Sequence, residues 1–223
     1  MALVVVGGQS RNVGKTSVVA GLIARLPEMR WTAFKITQHE HAFCLVNGAS
    51  CACITPDHSI AVSEERSASS ATDTARFLAA GAARSLWVRT RQGMLADAMP
   101  RILKELAAAE NAILESNSIM EFLQPDVYLT VLDTGVTDWK TSARLYLNRA
   151  DAVLLQTKNA EPQWPGISAD LLRDKPQFPI EPPDYLTDAA VAFVRERIGR
   201  AATAVTAPSA SPSRAGYKDW AEA

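Results

Sequence analysis

Hydrophobic and polar positions along the chain alternate between two periods. Short runs rich in β-branched residues at 3–7, 32–36, 85–89, 112–116, 127–132 and 152–156 predict strands. Between them lie stretches with apolar residues at helical spacing. Val18, Val19, Leu22 and Ile23 place a helix over 14–26, and further helices are predicted over 74–80, 94–109, 139–149 and 188–198. Asp73 reads as an N-cap and Gly81 as a stop; Thr187 and Gly199 bracket the last helix in the same way. Pro100 either opens a new first turn or kinks its helix. Strands alternating with helices predict an α/β fold, a mostly parallel sheet covered on both faces.

Two stretches break the alternation. Residues 37–72 occupy the place of a crossover helix and read as a long functional insert. Residues 201–214, "AATAVTAPSASPSR", are low in complexity and predict a flexible tail over 201–223, although Tyr217 and Trp220 near its end could dock on the domain. The expected organisation is therefore one domain over 1–200 carrying an insert, followed by a tail.

Composition alters little. With 48% hydrophobic and 21% charged residues the chain is globular in type, and its net charge of −1 gives no electrostatic reason to expect nucleic acid or an anionic membrane as partner. No apolar run is long enough to span a bilayer, and "MALVVVGG" lacks the features of a secretory signal, so the expected location is the cytoplasm.

The chemistry begins at "VVVGGQSRNVGKTS", residues 4–17, where a hydrophobic strand meets a glycine turn that opens a helix. Glycines let the backbone curl so that its N–H groups and the helix N-terminus face a phosphate. Gly8, Asn12, Val13, Gly14, Lys15, Thr16 and Ser17 are the expected cradle, with Lys15 on the β- and γ-phosphates and the Thr16 hydroxyl on Mg²⁺. Five residues separate Gly8 from Gly14, one more than usual. Arg11, inside the loop, reads as solvated in preference to an arginine finger.

Other candidates lie at strand ends, where ligands gather over a parallel sheet. Glu115, in "NAILESNS", is a candidate Mg²⁺ carboxylate, with Asn117 and Ser118 lining the same crevice. Lys35 would approach the γ-phosphate or a substrate carboxylate, and Asp133 is better placed to cap its own turn. Every cysteine and histidine of the chain falls between His39 and His58. Cys44, Cys51, Cys53 and His58 would make a Cys₃His set for Zn²⁺ or an iron–sulfur centre, against a buried or redox role for the thiols.

"GQSRNVGKTS" resembles the phosphate loop of dethiobiotin synthetase and its relatives among the P-loop proteins. "FKITQHEH" (34–41) resembles the Lys-His segment of the molybdopterin-guanine dinucleotide biosynthesis protein B family, and "DTARFLAAGA" (73–82) is similar to its Asp-containing helix. The resemblance covers short islands within 1–160. It implies a P-loop NTPase fold, with Lys15, Glu115, Lys35 and Asp73 as the catalytic set and a homodimer as one arrangement. It also implies Mg²⁺-dependent nucleotide hydrolysis coupled to maturation or insertion of a metal or molybdopterin-type cofactor, with a metal-cofactor enzyme or small molecule as partner. An ATP-dependent small-molecule kinase or ligase and a non-catalytic nucleotide- or metal-binding module stay open. The base is ATP or GTP; "LLQTKNA" ends in Ala160 where a guanine-reading segment would carry Asp, which favours ATP.

Overall fold

The computed structural model describes residues 1–39, 60–157, 164, 166–168 and 170–206, with side chains to 200. Eight strands form one sheet in the order β3-β4-β2-β5-β1-β6-β7-β8. They are β1 (Leu3–Gly8), β2 (Trp31–His39), β3 (Ile60–Glu64), β4 (Arg84–Arg91), β5 (Asn111–Glu115), β6 (Val127–Asp133), β7 (Ala152–Gln156) and β8 (Gln177–Ile180). Every pairing is parallel except that of β3 with β4. The helices are α1 (Lys15–Arg25), α2 (Asp73–Ala79), α3 (Leu95–Ala107), α4 (Thr141–Tyr146), α5 (Asp170–Arg173) and α6 (Asp188–Thr206). This is a P-loop NTPase fold: β1 is central and runs through a glycine loop into α1.

The central strands are apolar on both faces because both are covered. Val4 and Val6 pack into a cluster with α1, α6 and Phe77, while Leu3 and Val5 join Phe34, Leu86, Val88 and α3 on the other side. In α3 the buried residues Leu95, Ala98, Met99, Ile102 and Leu106 follow helical spacing, and Pro100 lies exposed inside one continuous helix. A third cluster, with Trp139 edge-on to Trp164 at 5.4 Å, covers β6 and β7.

The six expected strands form, and two more join them. Part of the expected irregular insert is sheet: β2 continues to His39, and Ile60–Glu64 returns antiparallel on β4 because Ile60 and Val62 pack on the α3 face. β8 is an edge strand, where Pro179 costs no ladder bond with a further strand. Asp73 is not the N-cap of α2; Thr72 is, its hydroxyl accepting from the Ala75 N–H at 3.1 Å. That frees the Asp73 carboxylate. Gly199 does not end α6, which runs on to Thr206, so helix occupies the start of the expected tail. The expected helix over 139–149 is shorter, α4 followed by a 3-10 turn at Leu147–Arg149. Tyr217 and Trp220 lie outside the described residues.

Candidate functional site

The phosphate loop is held from three strand ends. Asn117, just past β5, accepts from the Gly8 N–H and donates to the Gly8 carbonyl, both at 2.8 Å. Gln9 is fully buried; its Oε1 accepts from the Asp133 N–H at 2.9 Å and its amide donates to the Val136 carbonyl. From the end of β7, Gln156 donates to the Val13 carbonyl at 2.7 Å. Asp133 meanwhile accepts from the Gly135 N–H at 2.8 Å, so it caps its turn as expected.

The extra residue of the loop is absorbed by left-handed backbone at Asn12 (φ 60°) and Gly14 (φ 95°). Gly14 is required twice over, since a Cβ there would also fall 2.1 Å from the Tyr185 ring. No side chain caps α1, whose first-turn N–H groups are left for an anion.

Beside the loop the expected residues converge into one chain of contacts. The Thr16 hydroxyl donates to Glu115 Oε2 at 2.8 Å. Lys35 Nζ pairs with Glu115 Oε1, lies 2.7 Å from Asp73 Oδ2 and reaches Thr16 Oγ1 at 3.4 Å. Glu115 is 2% exposed, whereas Asp73 is open to solvent. The register explains the meeting: Lys35 lies opposite Glu115 across the β2–β5 pair, and α2 brings Asp73 from above. Behind Asp73, Arg76 donates to the Ser17 hydroxyl at 3.0 Å and ties α2 to α1.

Among the described residues no three His, Cys, Asp or Glu side chains gather into a metal set. The Thr16 hydroxyl and the Glu115 carboxylate, 2.8 Å apart, are oxygen donors of the type a hard divalent cation takes. Cys44, Cys51, Cys53 and His58 lie outside the described residues, as does Ala160. His39, at the end of β2, shares a 3.2 Å hydrogen bond with Thr37 Oγ1 and is held below the usual histidine range by burial, Arg89 and Arg11.

The site carries excess positive charge. Burial pushes the Lys15 ammonium down to about 8 against the upward pull of Glu115, with Lys140 and Lys35 adding to the depression. Lys140, one residue before α4, is itself held low by desolvation and by Arg11 and Lys35. No motif marks Lys140. Its backbone N–H donates to the Gln9 carbonyl at 2.9 Å, which docks it beside the loop. Asn117, Gln9 and Gln156 are equally silent in sequence as loop supports, although Asn117 was expected in the crevice.

A consequence of the Lys15 environment is measurable. Phosphate contact restores the lysine's charge, so nucleotide binding is expected to take up about half a proton at pH 8. The sign follows: affinity is fully present below pH 8 and falls by up to about tenfold per pH unit above it, until the pKa of the complex is reached. Calorimetry at pH 8 in buffers of different ionisation heat reads the uptake directly. Equal heats in all buffers would exclude Lys15 as the linked group.

No protein-family model matches the chain, and no curated protein matches it. Among solved structures, the chain is similar to the "apo" form of LpxK from Aquifex aeolicus in complex with ATP, at 18% identity and a TM-score of 0.47 over 80% of this chain and 53% of that one. It spans about half the length of that protein. It is also similar to HypB from Helicobacter pylori in complex with nickel, at 13% identity and a TM-score of 0.45 over 90% of this chain and 88% of that one. Among the described residues no helix is long and apolar enough to cross a membrane.

Proposed function

We propose that this chain is a Mg²⁺-dependent nucleoside triphosphatase that couples ATP or GTP hydrolysis to maturation or insertion of a metal or molybdopterin-type cofactor. The observation that carries the hydrolase part is the Thr16–Glu115 pair at the mouth of the loop. By donating its proton to Glu115, the Thr16 hydroxyl keeps its lone pairs free, so that Thr16 would bind Mg²⁺ directly and Glu115 would hold it directly or through water. Lys15 and the first turn of α1 take the β- and γ-phosphates. Lys35, paired with both Glu115 and Asp73, would contact the γ-phosphate or the partner ligand and offset charge there. Catalysis of this kind is positioning and charge stabilisation.

What supports the coupling is sequence: the resemblance at 8–17, 34–41 and 73–82, and the Cys44, Cys51, Cys53 and His58 set for Zn²⁺ or iron–sulfur. ATP is favoured over GTP by Ala160. A second reading, an ATP-dependent kinase or ligase of small molecules, is favoured by one feature. A cavity of about 460 Å³ opens against Lys35 and Asp73, a size suited to a small molecule.

The test is phosphate release from ATP and GTP by protein purified without a metal-affinity tag, with zinc and iron counted per chain. Release that needs Mg²⁺ and stops with chelator is the expected result. No release and no nucleotide binding would overturn the hydrolase reading. Near-stoichiometric zinc or iron supports the maturation arm, and its absence moves the kinase or ligase ahead.

A further inference from the structure

Two side chains leave one face of α2 toward the phosphate loop. Asp73 and Arg76, three residues apart, are neighbours on the helix surface, with Arg76 Nη1 4.0 Å from Asp73 Oδ1. Asp73 reaches Lys35, and Arg76 Nη2 donates to the Ser17 hydroxyl at 3.0 Å. The contacts close a ring: Thr16 to Glu115, Glu115 to Lys35, Lys35 to Asp73, Asp73 to Arg76, and Arg76 to Ser17, the residue after Thr16. That ring starts and ends on the first turn of α1.

Arg76 is not needed to hold α2 in place. Ala75 and Phe77 on either side of it are fully buried, Phe77 in the core cluster that contains Val18, Val19 and Leu22 of α1. The Arg76 side chain is 51% exposed. Among the described residues its side-chain partners are the neutral Ser17 hydroxyl and a carboxylate whose other oxygen is 2.7 Å from Lys35. A guanidinium carries five N–H donors in a planar fork that matches phosphate, so most donors of this one are left over. They lie beside an uncapped helix N-terminus. A cation there opposes the positive end of the helix dipole, and an anion over the turn satisfies both.

The direction of approach narrows which anion. Lys15 and Ser17, two apart on α1, leave the helix about 200° from each other, while Thr16 between them turns to Glu115. Arg76 therefore comes to the first turn from the flank opposite Lys15. It also stands about 4.5 Å of helix rise beyond Asp73, which pairs with Lys35.

We propose that Arg76 is a further nucleotide-binding residue that holds the α-phosphate from α2, while Lys15 takes the β- and γ-phosphates from the loop. The assignment rests on the nucleotide reading above and adds a residue that no loop motif marks.

The test is calorimetric titration, in chelator, with ATP and GTP, and then with the two diastereomers of the tighter nucleotide carrying sulfur on the α-phosphorus. Sulfur accepts hydrogen bonds poorly, so wild-type protein is expected to bind the isomer that turns oxygen to Arg76 about tenfold tighter. Arg76→Gln is expected to weaken the parent nucleotide about tenfold or more and to bring the two isomers closer together, and Arg76→Lys, which keeps the charge, to recover part of the affinity. A thermal melt on each sample reads folding. An unchanged affinity in Arg76→Gln would overturn the inference. So would a loss that leaves the isomer ratio as in wild type, because a residue that merely ties α2 to α1 weakens both isomers alike. Wild-type protein that binds neither ATP nor GTP would sink the nucleotide reading and this assignment with it; wild-type binding that Arg76→Gln does not alter sinks the assignment alone.

Discussion

Replacing Lys15 with alanine is expected to weaken nucleotide binding by about a hundredfold, the scale of losing charge-assisted contacts to two phosphates, while leaving the fold intact. In the free protein the Lys15 stem lies along Gly8, where a Cβ would come within 2.9 Å of the lysine Cγ, and its ammonium donates to the Ser10 carbonyl of its own loop. Folding therefore confines a charge that water would hold better, as its depressed pKa of about 8 records. The sign is that of a lysine penalised in the folded state. The cost is fully present below pH 8 and is relieved as pH rises from 8 toward the ordinary 10.5. Alanine removes that cost and leaves the Ser10 carbonyl without its ammonium, two effects of opposite sign. Calorimetry and a thermal melt on the same sample check both halves. An unchanged dissociation constant would remove Lys15 from the site, and a collapsed melting temperature would make it a structural residue.

Glu115→Gln is expected to cut Mg²⁺-dependent hydrolysis by about two to three orders of magnitude while nucleotide without Mg²⁺ binds at least as well as before. Glu115 accepts from Thr16 on one oxygen and from Lys35 on the other. An amide keeps the shape but offers only one acceptor, so one of those donors now faces an N–H. If the amide oxygen stays with Lys35, its NH₂ takes a lone pair of Thr16 Oγ1 that Mg²⁺ needs. The charge that attracts the ion is gone, and with it a negative charge beneath the γ-phosphate. The fold tolerates the change better than a fully orphaned buried charge, for which about 3–5 kcal/mol is lost. Lys35 keeps Asp73 at 2.7 Å. Phosphate release against Mg²⁺ concentration, with binding measured in chelator, checks this. Wild-type hydrolysis in Glu115→Gln would take the carboxylate out of the reaction.

Much of the site was legible because its residues sit at the ends of strongly patterned strands. Lys15 and Thr16 follow a glycine turn after Val4, Val5 and Val6. Glu115 and Lys35 each close an apolar run, and parallel register alone brings such positions to one edge. Asp73 was named for a resemblance and misread as a cap. Thr72 and Asp73 are both good capping residues, and only the hydroxyl position in space shows which one turns back on the helix. Lys140 carried no signal at all, since a surface lysine before a short helix looks the same whether or not its backbone is pinned to Gln9.

Strand edges mark the same boundary. The run at 60–64 sets Ile60 and Val62 two residues apart, yet beside a dense cysteine–histidine stretch its five residues read as loop; pairing with Thr90 through Leu86 makes them sheet. Gly199 reads as a helix stop, but α6 passes through it because the helix packs on the sheet through Val191, Val194 and Ile198. A glycine costs a helix about 1 kcal/mol, less than such burial returns.

By itself, then, the amino-acid order determined the alternating α/β plan, the central strands and the phosphate loop, because period, β-branching and glycine placement are local properties of the chain. Tertiary structure alone decided which of two neighbouring residues, Thr72 or Asp73, caps α2, how Lys35 divides itself between Glu115 and Asp73, which side chains lock the loop, and that Trp87 and Arg89 share a face with Lys35. Those outcomes depend on pairing register and on packing between segments as much as 143 residues apart, as with Val13 and Gln156. Periodicity decides which face of a strand is apolar; the sheet decides which neighbours it meets.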